Sequence, residues 1–484
     1  MAVYRLEHPV IPDDTPTAGQ WGVRQYMIAL ATVAALTIPF LVVGLLLGRS
    51  ALGTIPIALS VLGVTLVKPE AGLLSLLLMM PMEDVLVAVP QTLTIIRLLG
   101  VYVLGVFILH SLTGRRVVLM ESFIIRHFLL VLVMFVSILF SSQPLQGMSG
   151  MQTPVAMLMF TVLALSLTPD WRMVDLAMLF LFVGAVMGSI CGLMMEHFAG
   201  QSLSAEPLST VSDRLALGEM SNPNNYGRAI SIGMLAMPYL LWRFRGLGTR
   251  ALILIGVLLI AVVVVKTGAR GVWVSLMPAV PVAFWFGEAR LGSRSAKTIA
   301  ILVVVLIVLA VTVQIGLIGR GTIERFATIR ELGVHAGGRT AIWSVCMAAF
   351  LDHPILGMGY KFFGYESISV AVHHGLWLPG NVSRDPHSSY FAVLADLGIA
   401  GMIAYGAVLV YVGRGLIRLP RGPLRGTLVG MFLFLLLSGV TYTTINRKAY
   451  WMPMAVMAAA IPVHRRTQAE ESLAELEADD VLAT

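Results

Sequence analysis

The sequence predicts an all-α polytopic membrane protein of about 12–14 transmembrane helices with a large helical outward-facing loop. Of 484 residues, 57% are hydrophobic and only 12% are charged. The apolar runs repeatedly reach the roughly 20 residues that carry a helix across a bilayer core. None shows the two-residue alternation of a membrane barrel, and in lipid a helix satisfies its own backbone amides.

Taken in order, residues 1–25 mix Pro9, Pro12 and Pro16 with charges. This differs from the basic start, short apolar core and small-residue cleavage site of a secretory signal, and predicts a retained cytosolic tail. By the length rule, candidate spans follow at roughly 27–48, 51–67, 71–89, 94–112, 125–142, 152–168, 174–195, 226–242, 251–266, 269–286, 298–319, 388–412, 425–441 and 449–463. The second, third and fourteenth are weakest. The third carries Pro81, Glu83 and Asp84 and reads as a broken or re-entrant piece. The expected layout is a membrane region over 26–319, including an outward loop near 196–225, then a large periplasmic loop over 320–387. Further spans over 388–463 and an acidic cytosolic tail over 464–484 complete it.

A formal charge of +7 and a pI near 9.5 would suggest nucleic acid in a soluble protein. Here the cations sit in short loops: Arg115, Arg116 and Arg126; Arg243, Arg245 and Arg250; Arg290, Arg294 and Lys297; Arg414, Arg418, Arg421 and Arg425. They report orientation, placing those alternate loops and both termini in the cytoplasm, and no nucleic-acid partner is expected. The uncharged connection Ser141 to Met151 then faces outward, as do the two long loops, where sites concentrate. Within the larger loop, Arg339 to Leu351 reads as a helix after Gly337-Gly338, followed by a Pro/Gly turn, PILGMGY. Cys191 and Cys346, without metal-ligand spacing, read as apolar packing rather than a bridge.

Half of the ten histidines fall in that loop: His335, His353, His373, His374 and His387. HExxH is absent and the adjacent pair His373-His374 does not easily face one metal, so no metal and no cofactor are expected. His335, His353 and His374 read as interfacial, hydrogen-bonded rings. His387, between Pro386 and Ser388-Ser389 at the start of a span, has a pKa suited to proton transfer near neutral pH, so a catalytic base and an interfacial ring are both open. Arg270 in KTGARGVW and Arg339 in GGRTAIW flank outward-facing helix starts, beside glycines that would let a ligand approach the backbone. Gripping a phosphate and snorkelling to lipid headgroups are both open for them. SNPNNYGRA, Ser221 to Ala229, reads first as a helix start with Asn as N-cap, with a sugar-holding role for Asn222 and Asn224 as the alternative. Asp385 reads as a cap of the following helix before an orienter of His387. Trp343 and Trp377 read as sugar platforms or as interfacial aromatics, and Tyr360, Lys361 and Arg384 as weaker glycan or phosphate contacts.

Together these stretches resemble the O-antigen ligase-like family, which includes O-antigen ligases, O-antigen and exopolysaccharide polymerases and protein O-oligosaccharyltransferases. His387-Ser388, nine residues and then Gly398-Ile-Ala-Gly401 fit its ligase signature of His, then Asn, Ser or Gln, then nine residues and GxxG. GRTAIWSVCMAAFLDHPILGMGYKFF resembles its Arg, Trp and HPILGxGxxxF pattern, TGARGVW its Arg-bearing TGSRG segment, and SNPNNYGRA its NPN-type helix start. The similarity spans about Asn222 to Gly401; Val274 and Met402 depart from the ligases. What the resemblance implies is an inverting, metal-independent glycosyltransferase at the outer face of a bacterial inner membrane. Its donor would be an undecaprenyl-diphosphate-linked glycan, its acceptor lipid A core or a growing glycan. Carried over, Arg270 and Arg339 bind the diphosphate and His387 takes the acceptor proton. The competing class is a transporter or flippase of lipid-linked glycan, which would place its functional charges within spans, as at Glu83-Asp84.

Overall fold

The computed structural model describes residues 60–83, 95–114, 120–202, 222–287, 332–378, 380 and 382–483. The expected spans 27–48 and 298–319, the loop tip around 203–221 and Asp84 lie outside the described residues. The chain falls into two compact units, Met1–Gly72, described from residue 60 onward and helical over 60–67, and Leu73–Thr484.

Among the described residues the structure is helical without a strand, and the chain is an all-α polytopic membrane protein. The helices are α1 (Pro69–Met79), α2 (Ile95–Leu112), α3 (Ser122–Leu139), α4 (Pro144–Gly150), α5 (Gln152–Ser166), α6 (Trp171–Ser202), α7 (Pro223–Leu235) and α8 (Met237–Arg243). They continue as α9 (Leu247–Lys266), α10 (Arg270–Gly287), α11 (Leu332–Asp352), α12 (Phe363–His373), α13 (Ser389–Arg418), α14 (Pro423–Thr441) and α15 (Lys448–Ala483). Among the described residues, six segments are long and apolar enough to cross a bilayer: Ser122–Leu139, Pro144–Ser166, Trp171–Met194, Leu247–Lys266, Ser389–Arg418 and Pro423–Thr441.

Several boundaries differ from the sequence expectation for local reasons. The uncharged Ser141–Met151 connection is largely α4, since Pro144 sits at a helix start, where its missing N–H costs nothing. The span expected at 226–242 is two helices, because Pro238 cannot donate back into α7 and a new helix begins there. The third span is broken as expected, α1 giving way to a 3-10 turn over Met80–Met82 that contains Pro81. Glu83 beyond it is engaged by the buried ammonium of Lys448.

α3 packs on α13, α5 on α15, α6 on α7, and α10 lies along α14. The last seam is made of small residues. A side-chain carbon on Gly426 would fall 2.1 Å from the Ala283 carbonyl oxygen, and one on Gly430 would fall 2.6 Å from the Ala283 methyl. Without a hydrophobic drive between helices in lipid, such close backbone approach is what dispersion and packing exploit. α11 and α12 close over the start of α13 around a core of Ile342, Cys346, Ala349, Phe363 and Ala371. Both cysteines are free thiols.

Candidate functional site

His387 stands one residue before the N-cap of α13, Ser388, in a left-handed backbone conformation (φ 51°) that is uncommon for a non-glycine residue. The start of α13 is stitched to the chain leaving α14. The Ser388 hydroxyl donates to the Gly439 carbonyl (3.3 Å) and the Ser389 hydroxyl to that of Tyr442 (3.2 Å). The Thr444 amide donates to Ser389 Oγ (2.7 Å). On the opposite side Trp343 of α11 donates its indole N–H to the Pro386 carbonyl (3.1 Å) and stacks on Phe391, ring centroids 4.9 Å apart. The peptide before the imidazole is thus held from α11 and the two residues after it from α14. The half-buried ring itself makes no hydrogen bond with any described residue.

A second brace comes from the turn after α11. Gly398 interrupts α13 with φ 61° and ψ −154°, conformations open essentially to glycine. The N–H groups of Ile399 and Ala400, freed from the helical ladder there, donate to the carbonyls of Pro354 (2.9 Å) and Ile355 (3.1 Å). In return Met358 and Gly359 donate to the carbonyls of Ala395 (2.9 Å) and Asp396 (3.0 Å). The buried Asp396 carboxylate accepts the amides of Lys361 (3.1 Å) and Phe363 (2.9 Å), capping the approach to α12. Gly357 (φ 66°) cannot carry a side chain, because its first carbon would meet the Asp396 carbonyl carbon at 2.2 Å. The HPILGMG stretch and the GxxG stretch are two halves of one hydrogen-bonded joint.

Positive charge gathers around this joint. Arg339 lies close enough to His387, Arg270 and Arg228 for their charges to interact. Among the described residues none of these three arginines has a carboxylate partner. Loss of hydration and the neighbouring Arg270 both lower the Arg339 pKa. Burial lowers the pKa of His387 below its ordinary 6.5; Asp385 opposes that shift, while Arg339 and Arg384 add to it. The ring is therefore held in its neutral, proton-accepting form near pH 7.

Of the residues singled out from sequence, the structure brings Arg270, Arg339, Asp385 and His387 into one electrostatic neighbourhood. Lys361 shares that of Asp385 and Asp396, with its own backbone left-handed (φ 64°) and its pKa lowered by burial and by Arg447. Asn222 is the N-cap of α7, its side chain accepting the Asn224 amide at 2.9 Å, which is the helix-start reading. Asp385 does not cap α13: its carboxylate accepts the Thr443 hydroxyl at 2.9 Å. Capping requires the loop to turn into the helix at the carboxylate, and here the N-cap comes three residues later, at Ser388. Trp343 spends its face on Phe391, and His374 pairs with Asp352 at 2.7 Å. Gly271 does not admit a ligand; a carbon added there would lie 2.8 Å from both an Arg228 nitrogen and Thr441 Oγ1.

Two cations were missed. Buried Arg228 donates to the Asn224 carbonyl (2.8 Å) and to the Thr441 hydroxyl (3.0 Å), lies 4.6 Å over the Tyr442 ring, and leaves its Nε unpartnered. Arg447 donates to the Tyr442 hydroxyl (3.3 Å), also with an unpartnered Nε. An arginine inside an apolar run is itself a signal of function, and Arg228 carried it.

Residues 255–406 match the family model described as O-antigen ligase. This segment is similar to the O-antigen ligases. The ligase-like segment contains Arg270, Arg339, the 353–363 turn, His387 and the Gly398 break, and stops before the Thr441–Arg447 stretch. It supports membrane glycan processing of the O-antigen ligase kind. No curated protein matches the chain at a significant level.

Proposed function

We propose that the chain transfers a glycan from undecaprenyl diphosphate to an acceptor hydroxyl at the outer face of a bacterial inner membrane, with both termini cytoplasmic. The observation that carries this reading is a neutral imidazole beside guanidinium groups that have no carboxylate among the described residues to neutralise them. Cations brought close together without counter-ions favour an anionic ligand, and paired N–H groups of arginine match phosphate oxygens. Arg270 and Arg339 hold the diphosphate, with Arg228 extending the positive field behind them. The acceptor oxygen attacks the anomeric carbon as its proton passes to His387. The bond from that carbon to the phosphate oxygen breaks, and its electron pair leaves with the diphosphate, whose growing charge the arginines stabilise. A single displacement inverts the anomeric centre and needs no metal. A transporter reading would have drawn on Glu83, which is instead neutralised by Lys448.

The test is incubation of purified protein with undecaprenyl-diphosphate glycan and either lipid A core or further lipid-linked repeat, with products sized by mass spectrometry. Glycan on lipid A core means ligase, longer lipid-linked chains mean polymerase, and His387→Ala abolishes either product. An intact donor with every acceptor, or a variant as active as the parent, overturns the assignment.

A further inference from the structure

At the other end of α13 from His387 lies a cavity of about 780 Å³. Arg126 from the start of α3, Tyr411, Arg414 and Arg418 from the end of α13, and His464 and Arg465 from α15 line it. The segment Ser389–Arg418 is long and apolar enough to cross a bilayer, and at 1.5 Å per residue Tyr411 lies roughly 36 Å of helix beyond His387, against about 30 Å for a bilayer's hydrocarbon core. The cavity therefore sits at the opposite membrane boundary from the candidate transfer site.

Its four arginines come from three stretches distant in sequence. Arg126 lies 4.9 Å over the Tyr411 ring and donates to the Ser122 carbonyl at 2.8 Å. Arg465 lies 5.9 Å from the same ring and has Glu121 at 3.9 Å. Arg414 and Arg418 have no carboxylate partner among the described residues. The Tyr411 hydroxyl is shielded from solvent and has Arg465 and Arg126 as its charged neighbours. Val410 and Ile417, exposed beside the cations, offer apolar surface at the same level. Setting membrane orientation requires only that arginines lie on one side, where solvent can separate them. It does not require arginines from three distant stretches to converge on one cavity around a tyrosine.

We propose that this cavity binds a phosphate-bearing anion, drawn from the leaflet opposite the transfer site as the phosphodiester of an anionic lipid headgroup. The arginine forks take the phosphate oxygens, Tyr411 donates its hydroxyl, and the acyl chains run along Val410 and Ile417. The site is independent of the transferase reading.

The test is native mass spectrometry of the full chain in detergent, offered phosphatidylglycerol or a diacylglycerol of the same acyl chains. The protein retains phosphatidylglycerol over diacylglycerol. R414Q/R418Q, which alters two exposed side chains and leaves the core intact, weakens retention about 25-fold, at about fivefold per arginine. R414K/R418K keeps most of it, and Tyr411→Phe loses severalfold. Excess inorganic phosphate that leaves the lipid in place assigns the headgroup as the source; displacement assigns a soluble phosphate to the same cavity. Equal retention of diacylglycerol, or an unchanged R414Q/R418Q protein, overturns the proposal.

Discussion

Replacing Gly398 with alanine tests the joint between the 353–359 turn and the helix that starts beside His387. An alanine there must adopt φ 61° with ψ −154°, a conformation costing about 1–3 kcal/mol for a residue with a side chain. The new methyl carbon would fall 2.6 Å from the Ile355 carbonyl carbon and oxygen and 2.7 Å from the Pro354 oxygen. Those oxygens accept the Ile399 and Ala400 amides, so backing away strains or breaks two hydrogen bonds worth about 0.5–1.5 kcal/mol each. The expected loss is about 4 kcal/mol, close to a thousandfold in the folding equilibrium. SDS-titrated unfolding in mixed micelles, followed by circular dichroism, measures it. Gly406→Ala is the internal control, because it lies in the same helix with open space around it and should gain about 0.5–1 kcal/mol. A Gly398→Ala protein within about 1 kcal/mol of the parent, or a Gly406→Ala protein equally destabilised, refutes the reasoning.

The acid limb of kcat/KM against pH should lie below 6.5, activity falling as His387 protonates; Asp385→Asn moves the limb to lower pH and Arg384→Gln to higher pH. Shifts in the same direction would remove His387 as the titrating base. Arg339→Gln should lower kcat by about 100-fold with folding unchanged, and Arg339→Lys by less, as steady-state turnover would report. Trp343→Phe keeps the stack on Phe391 but removes the donor to Pro386, and is expected to reduce kcat by about tenfold while thermal stability shifts by about 1 kcal/mol or less. Lys448→Met strands Glu83 and should destabilise by about 3–5 kcal/mol, with Glu83→Gln in the same chain recovering most of the loss in the same unfolding assay.

The helices were legible in the sequence because lipid imposes one long apolar run per span, and α13 begins within one residue of its expected start. Boundaries set by a few backbone hydrogen bonds were not. Gly337-Gly338 read as a helix start, yet α11 begins at Leu332, since a glycine costs only about 1 kcal/mol inside a helix and removes no donor. The motifs around HPILG and GxxG could be read as patterns, but their meaning is a through-space exchange of amides that spacing alone does not encode. Arg270, Arg339 and His387 were visible as ionisable residues at span edges. Arg228 and Arg447 were passed over because their partners, Thr441 and Tyr442, stand far along the chain or beside no recognised motif.

The left-handed backbone at His387 carries a consequence for selection. Glycine or asparagine occupies such a conformation more readily than histidine, so a chain chosen for stability alone would place one of them at position 387. In a library varied at that codon, yield of folded protein should rank glycine and asparagine above histidine. Glycan transfer should rank histidine alone at the top. Position 387 would then be a site where evolution has held a fitter chemistry against a more comfortable backbone.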